Sequence, residues 1–225
     1  MPTDTDKRAA ALAALEEVQP GMLVGLGTGS TAAFAIAALG ERARNGLRIT
    51  TVATSRATKA LARAHGLTVL PFREVPQVDL TIDGVDEIDH VLRAIKGGGG
   101  AMLREKIVAA ASTRMIAIAD GSKRVERIGR GPVPVEILPF ARAWMFRALR
   151  EIGGIAALRT TRSDQKNLLA DVDFGTIRDP ATLAARLDAI PGLLGHGLFL
   201  SEIDALYVAT EGMVARIDKP YDPAI

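Results

Sequence analysis

Residues 97–100 are four consecutive glycines, and they constrain the fold more than any other stretch of the chain. Glycine loses more backbone entropy than other residues in a helix or strand and has no side chain to pack, so these residues predict a turn. The preceding segment, 91–95, is predicted to form a short strand, and the following segment, 101–111, consists almost wholly of good helix formers. The glycines therefore predict a tight strand-to-helix turn whose bare amides can bind an anionic oxygen.

Charged residues lie on both sides of this turn. Lys96 enters it, and Glu105 follows one helical turn later. A cation, free amides and a carboxylate are therefore expected to converge on one small volume, which suits a small anionic or carbonyl-bearing ligand. The structural alternative is a glycine-rich turn with no ligand, followed by Glu105 and Lys106 on a solvated helix face.

Predicted strands and helices alternate over the first half of the chain. The helices are predicted at residues 7–18, 32–43, 55–65 and 101–111, and the strands at 22–25, 48–54, 67–70, 78–82, 91–95 and 115–119. Ser55 is a suitable N-cap for the third helix, and Gly66 ends it. Because such alternation favours parallel pairing, this half predicts an α/β fold with a doubly wound, mainly parallel, Rossmann-like sheet.

The pattern changes after the Gly-Pro-Val-Pro sequence at residues 131–134. Strands are predicted at 135–138, 156–160, 168–174 and 197–200, and helices at 141–152 and 180–190. This β-α-β-β-α-β order is that of a ferredoxin-like α+β unit. A further strand at 205–210 is predicted to return to the first sheet. We therefore expect an α/β domain of residues 1–130 and about 203–225, with a small α+β domain of residues 131–202 inserted near its end.

Composition excludes several classes of protein. With 225 residues, 48% of them hydrophobic, the chain suits a globular fold with a sizeable core. Its 28 cationic residues are interleaved with 26 acidic ones and aromatic residues make up only 4%, which argues against nucleic-acid binding. The absence of cysteine excludes disulfides, thiolate catalysis and zinc–cysteine sites. His65, His90 and His196 stand apart from one another, so no histidine metal site is predicted.

No targeting or membrane-spanning segment is predicted. Residues 1–6 lack the basic start and apolar core of a signal peptide, and no apolar run reaches membrane-spanning length. The absence of cysteine fits a reducing compartment. We therefore expect a soluble cytoplasmic protein with neither a membrane nor a nucleic-acid partner.

A second glycine-rich strand-to-helix turn lies at residues 25–31. Its amides face a predicted helix N-terminus, and Thr28, Ser30 and Thr31 add hydroxyl groups. Amides and hydroxyls in this arrangement suit a phosphate group.

The same turn also fits the dinucleotide fingerprint G-x-G-x-x-A, with Gly27, Gly29 and Ala32 at its fixed positions. The acidic residue expected about 20 residues further on is missing. Ser55 and Arg56 stand there instead, which can mimic an NADP pocket. A tight turn with no ligand is the third interpretation.

Charged residues follow two other predicted strands. Asp83 and Asp86 come after the apolar strand 78–82, and Lys123 follows the strand 115–119. Residues at the carboxyl ends of parallel strands face the usual ligand crevice of such sheets. Lys123 can reach a phosphate as a point charge, the acids can hold Mg²⁺, and solvated surface charges are the structural alternative. All of these groups are expected on one edge of one sheet.

Three motifs, at residues 27–31, 83–87 and 96–106, together resemble those of the type A ribose-5-phosphate isomerases. They read Gly-Thr-Gly-Ser-Thr, Asp-Gly-Val-Asp-Glu and Lys-Gly-Gly-Gly-Gly-Ala-Met-Leu-Arg-Glu-Lys. The resemblance covers essentially the whole chain, including the inserted second domain. Two stretches depart from the family pattern. Residues 163–167 read Ser-Asp-Gln-Lys-Asn in place of an Asp-Asn-Gly-Asn turn. Residues 201–204 read Ser-Glu-Ile-Asp in place of a stretch similar to Asn-Arg-Gly-Ala-Asp.

The resemblance implies an enzyme that interconverts ribose 5-phosphate and ribulose 5-phosphate in the pentose phosphate pathway. It implies no metal or other cofactor, and a homodimer or a dimer of dimers. It implies that Glu105 is the catalytic base. The substrate-binding residues that it implies are Thr28, Gly29, Ser30, Thr31, Asp83, Gly84, Val85, Asp86, Lys96, Gly97, Gly98, Gly99 and Lys123.

Four charged residues are predicted to act at the reacting end of the substrate. Glu105 is predicted to carry one proton between C1 and C2 of the open-chain sugar through an enediolate, which Lys96 and the turn amides stabilise. Asp83 is the candidate that handles the hydroxyl proton during ring opening, and Asp86 the candidate that holds substrate hydroxyls.

The phosphate is predicted to bind among Ser30, Thr31 and Lys123, joined by Lys7 from the first predicted helix. Two other functions stay open on the sequence alone. One is an NADP-dependent oxidoreductase that uses the turn at 25–31. The other is a non-catalytic sugar-phosphate sensor, which is disfavoured because a candidate base is present and the first strand starts too early to leave room for a DNA-binding module.

Overall fold

The computed structural model describes residues 4–220. Its helices are α1 (Asp4–Ala14), α2 (Ser30–Arg44), α3 (Arg56–Ala64), α4 (Met102–Ala110), α5 (Arg142–Glu151) and α6 (Pro180–Asp188). Its first strands are β1 (Leu23–Leu26), β2 (Thr50–Ala53), β3 (Val78–Gly84), β4 (Glu87–Ile88), β5 (Ala94–Ile95) and β6 (Ser112–Asp120). Its later strands are β7 (Val133–Ile137), β8 (Ile155–Arg162), β9 (Leu168–Asp173), β10 (Leu193–His196), β11 (Leu198–Phe199), β12 (Ala205–Thr210) and β13 (Met213–Asp218).

The largest sheet has six strands in the order β13-β12-β6-β3-β1-β2. Neighbouring strands are parallel except for β12 and β13, which are antiparallel. The chain runs from β1 outward to β2 and then crosses to β3 on the other side of β1. The strand order therefore reverses between β1 and β3, where doubly wound sheets bind their ligands. The predicted doubly wound, mainly parallel sheet is confirmed.

The central strands of this sheet are apolar on both faces because helices cover both faces. On one face, Ile82 of β3 and Ile118 of β6 belong to a hydrophobic cluster with residues of α1 and α2. On the other face, Met115 and Ala117 of β6 pack in a cluster with Met102 of α4. Helix α4 is thereby fixed against the sheet whose edge forms the crevice.

The second sheet is antiparallel and has four strands in the order β10-β7-β9-β8. Its chain order, with α5 after β7 and α6 after β9, is the β-α-β-β-α-β order of a ferredoxin-like unit. The prediction of a smaller ferredoxin-like α+β unit is confirmed.

Two strand assignments from the sequence are wrong. Residues 67–70 form no strand; only an isolated bridge joins Val69 to Thr51. The last strand of the small sheet is β10, which ends at His196, and not the segment 197–200. The chain changes sheets at Gly197, whose N–H donates to Pro134 and whose carbonyl accepts from Lys96. The next residues form β11, which pairs with β5 in a small third sheet.

Strand β13 was not predicted from the sequence. It pairs with β12 through a two-residue turn, Glu211 and Gly212, in which both residues have positive φ. Such a turn matches the twist of a hairpin. Glu-Gly is a weaker hairpin signal than Asn-Gly, and most residues of the edge strand are exposed, so the segment lacked a clear pattern.

We propose that the small sheet and its helices form the separate domain expected at residues 131–202. Val135, Met145 and Leu187 share a hydrophobic cluster there, and Ile95 and Ile128 from the larger part of the molecule attach to it. The other proposed domain, 1–130 and about 203–225, includes residues 1–3 and 221–225, which lie outside the described residues. Within residues 4–220, no helix is both long enough and apolar enough to cross a membrane.

Candidate active site

A pocket of about 190 Å³ lies among the loops that follow β1, β3, β5 and β6. Every residue that the sequence analysis assigned to substrate binding or catalysis lines this pocket, with the exception of Asp83. Asp83 is fully buried and contacts the pocket residue Lys96. The reversal of strand order between β1 and β3 therefore assembles segments that are far apart in the sequence.

The turn after β1 presents the open start of α2 to this pocket. Gly29 is the N-cap residue with a φ of 122°, and no side chain caps the helix. The first amides of α2 thus have no intrahelical acceptor. Ser30 and Thr31, the first residues of the helix, line the same pocket. This arrangement can bind a phosphate through amides and hydroxyls.

The hydroxyl of Thr28 serves the fold. It lies 2.8 to 2.9 Å from the hydroxyls of Thr54, Ser55 and Thr58. Ser55 is the N-cap of α3, as predicted, and accepts from the Thr58 amide. Thr28 therefore ties the turn to α3, although other atoms of this residue reach the pocket.

Glycine is required at position 27 because β1 and β3 approach closely there. A Cβ atom on Gly27 would lie 2.0 Å from Oδ1 of Asp83. The same oxygen accepts hydrogen bonds from the amides of Thr28, at 3.0 Å, and Gly84, at 2.7 Å. The backbone of both strand ends thus fixes the Asp83 carboxylate.

Three charged side chains are buried together beside the pocket. The Lys96 ammonium lies 3.0 Å from Oδ2 of Asp83 and 3.3 Å from Oε2 of Glu105. Lys96 also donates to the carbonyl of Gly84. Only 2% of Lys96 and 3% of Glu105 are exposed, and Asp83 is not exposed at all. We call these three residues the buried triad.

The buried triad holds two carboxyl groups around one ammonium. Burial raises the pKa of Glu105 to about 8 against the attraction of Lys96, and the charge of Asp83 adds to the rise. Burial also raises the pKa of Asp83, again against Lys96. For Lys96, burial acts to lower the pKa, but the two carboxylates outweigh it and the pKa is raised. One ammonium balances one carboxylate, so the carboxyl pair retains a proton near neutral pH.

Lys96 is held in place from several sides. Its backbone amide donates to Gly197, and its ammonium lies 5.4 Å from the centre of the Phe199 ring. Phe199 is fully buried. The ammonium is thus kept away from water, where its electrostatic effect on a bound ligand is strongest.

The glycine turn after Lys96 is a strand-to-helix turn, as predicted. Gly97 has a φ of 111°, and a Cβ atom there would lie 2.6 Å from Cβ of Met102. The Gly98 amide donates to Oδ2 of Asp86 at 2.7 Å. The carboxylate of Asp86 therefore braces the turn, and Glu105 follows in the first part of α4.

The acids at and after the end of β3 are engaged by other groups of the protein. Asp83 is engaged by two amides and by Lys96, and Asp86 by Gly98. Glu87 is buried and accepts from the amides of residues 129–131, which lead into the small sheet. The described part of the chain contains no group of three or more histidine, aspartate or glutamate residues placed to hold a metal ion.

Asp120 also lines the pocket, and the sequence analysis missed it. Oδ1 of Asp120 accepts from the amide and hydroxyl of Ser122, whereas its buried Oδ2 has no hydrogen-bond partner among residues 4–220. The signal was present, because Asp120 ends β6 just as Asp83 lies near the end of β3. Lys7 and Lys123, the two predicted phosphate cations, line the pocket too.

A larger cleft of about 450 Å³ lies between α3 and α4. Arg56, Lys59, Arg73 and Arg104 line it, together with apolar side chains such as Phe72. It contains no buried acid and no carboxylate lines it. We therefore propose that the chemistry takes place in the smaller pocket, because that pocket combines a buried acid–base pair with open amides.

Comparison with known proteins identifies the family. The family model of ribose 5-phosphate isomerase A (phosphoriboisomerase A) matches residues 50–212. The chain is similar to the ribose-5-phosphate isomerase A of Sphingopyxis alaskensis, with 50% identity over 214 residues that cover 93% of this chain and 94% of that protein. It is also similar to that of Parvibaculum lavamentivorans, with 45% identity over 223 residues that cover 94% and 96%.

Solved structures agree with this match. A D-ribose-5-phosphate isomerase in complex with phospho-erythronic acid has a TM-score of 0.93 and 33% identity, covering 97% of this chain and 100% of that one. The ribose 5 phosphate isomerase A of Neisseria gonorrhoeae has a TM-score of 0.92 and 39% identity, covering 98% and 100%. With the fold, the pocket and its relatives in agreement, this chain belongs to the type A ribose-5-phosphate isomerase family.

Proposed function

We propose that this protein interconverts D-ribose 5-phosphate and D-ribulose 5-phosphate by proton transfer through an enediolate. The observation that carries the proposal is the buried carboxyl of Glu105, with a pKa raised to about 8, beside an ammonium in a pocket with open amides. The family match supports this function over an NADP-dependent oxidoreductase or a sugar-phosphate sensor.

The proton moves by way of Glu105. Its carboxylate takes the proton from C2 of the open-chain aldose and returns it to C1, while the hydroxyl proton on O2 passes to O1, which yields the ketose. A base works best when its pKa lies near the working pH, because it is then both available and basic. The buried triad supplies that condition, since burial and Asp83 raise the pKa of Glu105.

The negative charge that develops on the substrate oxygen faces Lys96 and the glycine turn. Loss of one such donor in a dry site slows catalysis about 10²- to 10³-fold. Asp83 takes a hydroxyl proton from the substrate during ring opening and returns it, and its raised pKa suits a group that gains and loses a proton. Asp86 lines the pocket next to the turn and accepts from a further hydroxyl.

The phosphate binds at the start of α2. The amides of this helix have no side-chain cap, and Ser30, Thr31, Lys7 and Lys123 line the pocket beside them. Binding energy from this remote group positions the reacting carbons near Glu105.

The wider setting is proposed from the family alone. We propose a cytoplasmic enzyme of the non-oxidative pentose phosphate pathway that needs no metal and forms a homodimer or a dimer of dimers. Large apolar side chains exposed just before and within α5, including Phe140 and Trp144, offer a surface for assembly.

The test is ribulose 5-phosphate formation from ribose 5-phosphate, with EDTA present and without added nucleotide, for wild type and Glu105→Gln. We expect the wild type to turn over and the variant to lose about 10²- to 10⁴-fold in kcat, the usual contribution of a general base. Glu41→Gln, an exposed glutamate of α2, is the matched control. Near-normal turnover by a folded Glu105→Gln protein would refute the role of the base, and an inactive wild type would refute the activity.

A further inference from the structure

Arg159 reaches from the small sheet to the glycine turn of the active site. Its Nη1 donates to the carbonyls of Gly97, at 2.9 Å, and Gly98, at 3.2 Å. Its other nitrogens bind the carboxylate of Asp171 on β9, with Nε 2.8 Å from Oδ2. Within residues 4–220, no other residue of the small sheet forms a hydrogen bond with the glycine turn.

The contacts of Arg159 determine where the amides of the turn point. In a trans peptide the C=O and the next N–H point in opposite directions within one plane. Arg159 holds the carbonyls of Gly97 and Gly98, so the amides of Gly98 and Gly99 point away from it. The Gly98 amide donates to Asp86. For the Gly99 amide, no acceptor is found among the described residues, and Gly99 lines the pocket.

The peptide between Gly98 and Gly99 is the part of the turn that needs an outside contact. The preceding peptide is already fixed, because the Gly97 carbonyl accepts from the Gly100 amide at 3.0 Å and the Gly98 amide donates to Asp86. Glycine residues adopt positive and negative φ with similar ease, so a peptide unit between two of them rotates at little cost. Residues 97–100 have no side chains to resist such rotation. An external clamp is therefore needed to keep the Gly99 amide directed into the pocket.

We propose that Arg159 is a positioning residue for the enediolate oxyanion, which it serves by orienting the Gly99 amide. This inference rests on the proposed function. Arg159 itself does not line the pocket and acts through the backbone of the turn. A residue of the small sheet thereby supports catalysis in the pocket at the edge of the six-stranded sheet.

The hairpin that carries Arg159 is built to hold it. The β8–β9 register shifts between Leu158 and Arg162, and an irregularity of this kind re-aims the side chains within it. Asp171 fixes the guanidinium through two nitrogens, which leaves the third for the turn. An arginine suits this task because its planar fork binds two groups at fixed angles, whereas a lysine ammonium does not.

The tip of the same hairpin is anchored separately. Buried Glu136 of β7 accepts from Ser163, at 2.7 Å, and from Asn167, at 2.8 Å. Asp164 accepts from the Arg56 amide of α3, at 2.6 Å, and from Arg104 of α4, at 3.1 Å. The hairpin is thus fixed to the helix of Glu105 as well as to the turn.

The test compares Arg159→Met with wild type in kcat, in KM for ribose 5-phosphate and in inhibition by phospho-erythronic acid, an acid whose carboxylate places a negative charge at the reacting end. We expect kcat to fall about 10- to 100-fold, since a small misplacement of a donor has that effect. The inhibition constant should rise by a similar factor, while KM changes little. Arg162→Met, an exposed arginine three residues along β8, is the matched control and should behave as wild type.

A folded Arg159→Met protein with wild-type kcat and inhibition would overturn the inference. A merely structural role would lower the melting temperature without separating kcat from KM. If Arg159→Met does not fold, Arg159→Lys carries the test, because it keeps the charge and the stem but not the fork. An inactive wild type would instead count against the proposed function, so the two failures are distinguishable.

Discussion

The two glycine-rich turns of this molecule have similar sequences, and we propose that they perform different tasks. Both join a strand to a helix at the same edge of the structure and line one pocket. The turn after β1 presents an open helix start, with Lys7 and Lys123 half-exposed nearby. The turn after β5 is flanked by the buried triad, whose members are at most 3% exposed.

This difference in burial separates binding from chemistry. Exposed cations and amides each contribute only modestly to the free energy of anion binding, because water screens their charges. Buried charges interact strongly and shift one another's pKa values, which a proton-transfer site needs. We therefore expect changes at the first turn to act on KM and changes at the second to act on kcat.

After the loss of kcat expected for Glu105→Gln, the next largest expected effect is that of Lys96→Met. It removes the only ammonium of the buried triad, and we expect kcat to fall about 10²- to 10³-fold. Both remaining carboxyls should then hold protons, so the variant should fold at slightly acidic pH and lose stability in base. Kinetics and thermal melts at two pH values measure this. Lys106→Met is the control, because the Lys106 ammonium lies 4.4 Å from the centre of the same Phe199 ring but outside the pocket. An equal fall in kcat for Lys106→Met would contradict a special role for the buried triad.

A smaller effect, on KM, is expected for Lys123→Ala. A charge-assisted hydrogen bond contributes about 1.5 to 3 kcal/mol, so KM should rise about tenfold or more while kcat stays within a small factor. Steady-state kinetics with ribose 5-phosphate measure both, and Arg124→Ala, an exposed neighbour, is the control. An unchanged KM would move the phosphate away from the first turn, and a large fall in kcat would mean that this turn also takes part in the chemistry.

The smallest effect is a change in thermal stability for Glu105→Gln. The pKa of Glu105 is about 8 when the protein is folded, against 4.5 for a glutamate in water, so the folded state keeps a proton that the unfolded state releases between these values. Its contribution to stability therefore falls as pH rises through this window. We expect Glu105→Gln to melt several degrees above wild type in base and close to it in mild acid. A difference that does not grow with pH would show that Glu105 is not buried in an unfavourable environment.

Much of the pocket could be predicted from the sequence because its residues follow strands. Gly27, Asp83 and Lys96 each lie at or next to a strand end, and Glu105 lies in the first turn of the helix after the glycine turn. Alternating strands and helices bring these strand ends to one edge. Asp120 obeys the same rule and was overlooked. These placements depend on local pattern and on one topological rule, both of which are visible in a single sequence.

What could not be predicted depends on contacts distant in the sequence. Arg159 gave no signal, since its partners in the turn lie about 60 residues away on another sheet. The change of sheet at Gly197 depends on hydrogen bonds to Pro134 and Lys96. The direction of the pKa shift of Glu105 depends on whether burial outweighs the attraction of Lys96, and only the packed structure gives that balance.

The most direct test of the central claim is the pH dependence of kcat/KM for wild type and Asp83→Asn. The wild-type rate should rise with pH through about 8, as Glu105 loses its proton. Removal of the Asp83 charge, which helps to raise the pKa of Glu105, should move this midpoint to lower pH at reduced overall rate. A profile without a rise in this range, or the same midpoint in both proteins, would contradict a raised Glu105 pKa set by the buried triad.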